Sequence, residues 1–205
     1  MRKWFTLNDI STYRSELMGW AIIWIMMLHF TFTQVKPLGF VAQYGFAGVE
    51  IFLFVSGFGL FFSLDKNHSN KDFYLKRILR IFPTYYILGI FASIFLYHDD
   101  IFTYLFRYTT IGFWTGGCYS EWYIPSIVCL YLIAPLLKKL LTWKKQIIIT
   151  AICLICFVAA FFLISNKYIT KGEPHFFLLY RIPVFIFGME CAYWLKKEFV
   201  GKPFF

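Results

Sequence analysis

The sequence predicts an all-α fold: a polytopic integral membrane helix bundle of six transmembrane helices, with both termini cytoplasmic. Three observations carry that prediction. The first is composition: of 205 residues, 60% are hydrophobic and 23% aromatic, while only 15% are charged. Soluble domains hold about 45–50% apolar and about 25% charged residues, so the surplus here must face lipid. The second is that the surplus falls into six runs: Leu17–Thr33, Phe46–Leu64, Ile81–Tyr97, Trp122–Leu137, Ile147–Ser165 and Phe176–Leu195. Each run is close to the ~20 residues that a helix needs to cross hydrocarbon, and a helix satisfies its own backbone there. The third is where the basic residues lie.

Lys and Arg alternate in abundance from one connection to the next. One side of the alternation holds Arg2, Lys3, Arg14, Lys66, Lys71, Lys76, Arg77, Arg80, Lys138, Lys139, Lys144, Lys145, Lys196, Lys197 and Lys202. The other holds only Lys36, Arg107, Lys167, Lys171 and Arg181. The split is 15 against 5, so the rich side is cytoplasmic. The formal charge of +9 is therefore spent on orientation. It marks no nucleic-acid surface, because the basic clusters are short and separated by apolar runs.

The elements follow in order. Met1–Lys3 is basic and an apolar run follows, but no small-residue cleavage site does, so the first run is read as a retained helix. The longest connection, His98–Glu121, is external and rich in aromatics (Phe102, Tyr104, Phe106, Tyr108, Phe113, Trp114). It is expected to lie in the membrane interface or to dip back into the protein. Four of the five cysteines sit inside apolar runs, which gives no disulfide framework. Cys153 and Cys156 have CxxC spacing, with no second pair or nearby histidine to complete a zinc site, so no metal is expected. No internal repeat appears, and 1–205 reads as a single membrane domain.

Ionisable groups at membrane depth are costly and mark candidate sites. His29 lies near the outer end of the first run and Glu50 just inside the second, which enters from outside. Counted from the run ends, the two are expected at similar depth across an antiparallel hairpin, at ~1.5 Å per residue. They read either as a catalytic pair, the carboxylate stabilising an imidazolium, or as two polar groups that merely satisfy each other. Arg77 and Arg80 are three apart on one helix face at the inner start of the third run. They read either as a bidentate phosphate clamp or as positive-inside anchors, with Glu16 and Glu190 as their expected salt-bridge partners. His68, His98 and His175 read as solvated loop residues.

The order of motifs then resembles a known family. The first run holds Met18-Gly-Trp-Ala-Ile-Ile-Trp-Ile-Met-Met-Leu-His29, and the second Gly48-Val-Glu-Ile-Phe-Leu-Phe-Val-Ser-Gly-Phe58. The third is introduced by Phe73-Tyr-Leu-Lys-Arg-Ile-Leu-Arg-Ile-Phe-Pro83. The fourth contains Trp122-Tyr-Ile-Pro and Tyr131-Leu-Ile-Ala-Pro135, and the sixth Arg181-Ile-Pro-Val-Phe-Ile-Phe-Gly188. From Arg14 to Gly188 the chain resembles the acyltransferase 3 family of bacterial membrane O-acyltransferases. The resemblance implies a multi-pass protein of the bacterial inner membrane that modifies envelope glycans or glycolipids. It implies His29 as the central catalytic residue with Glu50 beside it, and acyl-coenzyme A as a donor held by Arg77 and Arg80.

Two departures stand out. The family often has an arginine eleven positions before the histidine, where this chain has Met18; Arg14, a turn earlier, is the nearest substitute for that donor-binding role. Family members also usually carry about ten membrane helices, so these six are expected to be a C-terminally truncated portion or a shortened relative. The expected activity is transfer of an acyl group, most simply acetyl, from acyl-coenzyme A to a glycan or glycolipid hydroxyl. Two rival readings are a transporter using His29 and Glu50 as a proton relay and a non-catalytic membrane subunit.

Overall fold

The computed structural model of the chain describes residues 6–29, 38–66, 69–115, 122–142, 145–165, 176–179 and 181–198. Among them there is helix and turn but no strand. A short α1 (Leu7–Thr12) leads into α2 (Arg14–His29), α3 (Leu38–Ala42), α4 (Ala47–Lys66) and α5 (Asn70–Ala92), which ends in a π turn, Ser93–Tyr97. Then come α6 (Ile101–Tyr108), α7 (Ile111–Trp114), α8 (Tyr123–Thr142), α9 (Gln146–Ser165), α10 (Phe176–Leu179) and α11 (Ile182–Glu198).

Three of these are long and apolar enough to cross a membrane: Ala47–Lys66, Asn70–Tyr97 and Tyr123–Thr142. They answer to the second, third and fourth apolar runs, and the chain is a helical membrane protein. The other runs are helical as well, in α2, in α9 and in α10 with α11. The third span starts earlier than its apolar run, because the basic stretch before Ile81 continues the same helix. Its 28 residues exceed the ~20 that hydrocarbon requires, so the turns carrying Arg77 and Arg80 are free to reach headgroup level. The sixth run, expected as one helix, is broken at Arg181. Pro183 has no N–H to bond the Leu179 carbonyl one turn back, so the helix does not run through from α10 and α11 starts afresh at Ile182.

The chain divides into two compact units. One comprises Met1–Phe62, Leu137–Thr150 and Pro183–Phe205. Its core is built from α4 and α11, with Leu53, Phe58, Phe61, Phe185, Ile186 and Met189 fully buried. Glycine is what brings these helices together. A Cβ on Gly57 would run into the backbone oxygen of Phe185, and one on Gly188 into that of Phe54. Where lipid tails are as apolar as leucine, such small-residue contacts replace the hydrophobic effect as the glue between helices. The rings of Phe54 and Phe187 flank the crossing at 5.6 Å.

The other unit comprises Ser63–Leu136 and Ala151–Ile182. Here the Tyr74 hydroxyl donates to the Leu132 carbonyl (3.0 Å), tying α5 to α8. Buried residues include Phe73, Phe113, Ile127, Leu130 and Ala134. Much of α5 and α9 stays uncovered, including Leu79, Leu88, Phe91, Leu96, Leu154 and Ile155, which is the surface a bilayer solvates.

Gly57→Ala or Gly188→Ala is expected to lower stability by about 1–3 kcal/mol, because the added methyl meets rigid backbone. Gly19, with nothing within 4 Å of its would-be Cβ, is the control, and Gly19→Ala should be neutral or slightly stabilising. Thermal unfolding of the purified protein in detergent reads both.

Candidate active site

The α2–α4 hairpin is packed through two further glycines. A Cβ on Gly48 would sit 2.6 Å from the Ala21 carbonyl oxygen and 2.8 Å from Ile25 Cγ1. One on Gly45 would meet the Trp24 carbonyl oxygen and stand 2.7 Å from Leu28 Cβ. The Trp24 indole N–H donates to the Val41 carbonyl (2.7 Å), so the one polar atom of that side chain is satisfied by α3.

These contacts fix the register of the hairpin, and the register corrects the expectation of equal depth. Gly48 lies between Ala21 and Ile25, and Gly45 between Trp24 and Leu28. Continued by two residues, the same register sets Glu50 level with Ala21. His29 is eight residues further along α2, about 12 Å at 1.5 Å per residue. Helical side chains lean toward their own N-terminus, so His29 leans toward the level of Glu50 and Glu50 toward that of His29, which narrows the gap. The sequence count went wrong because it measured depth from the ends of apolar runs, whereas close contact at glycine sets it here. His29 closes α2 and is exposed; Glu50, in the first turn of α4, is half-buried.

Arg14 opens α2, and its guanidinium lies over Gly59 of α4, where any Cβ would collide with it. Gly59 is nine residues beyond Glu50 on the same helix, so Arg14 serves the opposite end of the hairpin from His29.

In the other unit, Arg77 and Arg80 differ. Arg77 is half-buried, donates from Nη2 to the Ser63 hydroxyl (2.6 Å) and lies near the faces of Phe73 (5.5 Å) and Tyr131 (6.0 Å). Its hydrogen-bond partner is thus a hydroxyl, in place of the expected Glu16 or Glu190. Ser63 lies near the end of α4 and accepts the bond across from α5, whereas Glu16 is exposed in the first turn of α2. Arg80 is exposed. His98 occupies a left-handed position after the π turn (φ 54°), while His68 and His175 lie outside the described residues. Cys129, Cys153, Cys156 and Cys191 form no disulfide among the described residues. No cluster of three metal-ligating side chains gathers among the described residues.

The sequence reading missed a site role for Arg181, which it counted as an external charge and as the first residue of one family motif. It is 4% exposed, and its guanidinium lies 4.4 Å over the Trp122 ring. A signal was there: a cation immediately before a helix N-terminus opposes the helix dipole, so something specific must hold it.

The fold and these groups define a helical membrane protein with an imidazole and a carboxyl on one hairpin and guanidinium groups on two of its helices. The chain belongs to the acyltransferase 3 family: the family described as "Acyltransferase domain" matches residues 17–203, a stretch that includes His29, Glu50, Arg77, Arg80 and Arg181 but not Arg14. The chain is also similar to "Putative acetyltransferase ORF330" of Acidianus two-tailed virus, 27% identical over 180 residues. The alignment takes in 83% of this chain and 52% of that protein, so the chain spans about half the length of the curated relative. No solved structure matches it.

Arg181→Lys keeps the charge but loses the flat face that stacks on Trp122. It is expected to cost about 1–2 kcal/mol, read as a lower unfolding midpoint in detergent. An unchanged midpoint would show that the stack contributes nothing.

Proposed function

We propose that the protein is a multi-pass acyltransferase of the bacterial inner membrane, moving an acyl group, acetyl in the simplest case, from acyl-coenzyme A to a hydroxyl of an envelope glycan or glycolipid. The observation that carries this reading is the family match, because it encloses the titratable pair and both arginines of α5 in one stretch. The acetyltransferase name of the viral relative supports acetyl as the group transferred. The orientation proposed is the one the basic residues favour, with both termini inside and six spans.

In the mechanism, the neutral imidazole of His29 takes the proton of the acceptor hydroxyl as that oxygen attacks the thioester carbonyl. The tetrahedral oxyanion collapses, the C–S bond breaks, and the leaving thiolate recovers the proton from the imidazolium. Acyl ester and free coenzyme A thiol leave, and the histidine returns to its starting form. A variant of the route has His29 carry the acyl group briefly before the acceptor arrives.

Glu50 stabilises the imidazolium. Given the axial offset, it acts through its field or through an acceptor lying between the two groups, and a carboxylate at that range still counts in a low-dielectric site. Arg80, exposed, and Arg77, oriented by Ser63, bind the donor phosphates, whose geometry the guanidinium fork matches. Arg14 lends a further positive group at the Gly59 end of the hairpin. No metal has a part in these steps.

The test uses the intact protein in proteoliposomes. His29→Ala should lower acyl transfer by about 10²–10⁴-fold with insertion and donor binding unchanged. Glu50→Gln should lower kcat less, and Arg80→Ala should raise the KM for donor with kcat nearly kept. Transfer at the wild-type rate in His29→Ala would end the proposal.

A further inference from the structure

The segment that follows α5 has an organisation that acyl transfer does not explain. The span ends in the π turn Ser93–Tyr97, and His98 then takes a left-handed conformation that turns the chain sharply. Three residues further on, α6 begins. Its N-cap, Asp100, accepts from the Thr103 N–H (3.0 Å), and the hydrogen bond from the Thr103 side chain, together with that backbone one, holds the carboxyl below the usual carboxylate range.

At 100° per residue, α6 has three faces. Ile101, Phe102, Leu105 and Phe106 fall in one arc, and all four are exposed, Phe102 at 77%. Tyr104 and Tyr108 fall in a second arc, which meets α5. The Tyr104 hydroxyl donates to the Tyr86 carbonyl (3.3 Å), and Tyr108 is buried against Gly89, where a Cβ would come within 2.6 Å of its ring. Thr103 and Arg107 make the third arc. Arg107 donates from Nε to Asp99 Oδ2 (3.1 Å) and from Nη2 to Asp99 Oδ1 (3.3 Å), and lies 4.4 Å over the Tyr97 ring. Asp99 also accepts from the Ser93 hydroxyl (2.9 Å). The third arc is thereby pinned to the end of the span.

A helix so fixed cannot roll its apolar arc away from whatever faces it. Because only three residues separate it from a membrane-crossing helix that is itself largely uncovered, that surrounding is the bilayer surface. We infer that α6 is a membrane-surface helix, pinned by the Asp99–Arg107 pair so that Ile101, Phe102, Leu105 and Phe106 enter the lipid headgroup and acyl boundary. The leaflet is the one in which α5 ends, the outer one in the orientation the basic residues favour. Aromatic side chains suit that depth, and the Asp99–Arg107 pair, largely buried against the π turn, lies on the arc away from the apolar one.

The test places p-benzoylphenylalanine at position 102 or 103 of the intact protein in lipid nanodiscs and analyses the photoadducts by mass spectrometry. Lipid adducts severalfold more abundant at 102 than at 103 are expected. Equal yields at the two positions, or adducts at 102 to polypeptide instead of lipid, would overturn the inference. Asp99→Asn in the same background should shrink the contrast between 102 and 103, and a contrast left unchanged would remove the pin from the account.

Discussion

A peptide group surrounded by hydrocarbon has no water to bond, and each one left unsatisfied costs several kcal/mol. The rest of this structure depends on that constraint. It makes every described element helical or turn, and it decides how polar side chains behave along them. The Trp24 indole finds the Val41 carbonyl, the Tyr74 hydroxyl the Leu132 carbonyl, and Arg77 the Ser63 hydroxyl. With no hydrophobic gradient between one helix and the lipid around it, contact is made where glycine allows backbones to touch, at Gly45 and Gly48 for α2 with α4, and at Gly57 and Gly188 for α4 with α11.

The same constraint explains what was legible in the sequence. Helix type and the approximate positions of the apolar runs follow from composition and length, so α4 and α8 fall close to where those runs put them. Boundaries set by something other than hydropathy did not. The start of α5 lies in a basic stretch that an apolar count excludes, yet helix continues through it. The break at Arg181 depends on one proline. The depth of His29 relative to Glu50 depends on which glycines touch which carbonyls, a pairwise matter that run ends do not encode. The residues of the candidate site were legible because ionisable groups are rare in apolar runs, but Arg181 was masked by standing at a run's edge, where a basic residue looks like an ordinary flank.

The two arginines of α5 show why residue type alone under-determines a role. Arg77 and Arg80 share a face and a spacing, and sequence gives no reason to separate them. The structure gives Arg77 a hydroxyl partner and two aromatic neighbours, and leaves Arg80 exposed. One is oriented and partly withdrawn from water, while the other stands at the surface, where salt screens it.

That Arg77 is oriented by serine rather than by a carboxylate matters for any anion that comes to it. An aspartate or glutamate in place of Ser63 would hold the guanidinium more strongly, but it would also cancel the charge, and an incoming phosphate would then have to compete with a carboxylate for the same fork. A hydroxyl fixes one Nη without neutralising the group, and the faces of Phe73 and Tyr131 favour a cation without offering it a hydrogen-bond acceptor. The positive charge is therefore oriented in advance and still unspent, which is the arrangement that lets a guanidinium bind a phosphate with little further ordering.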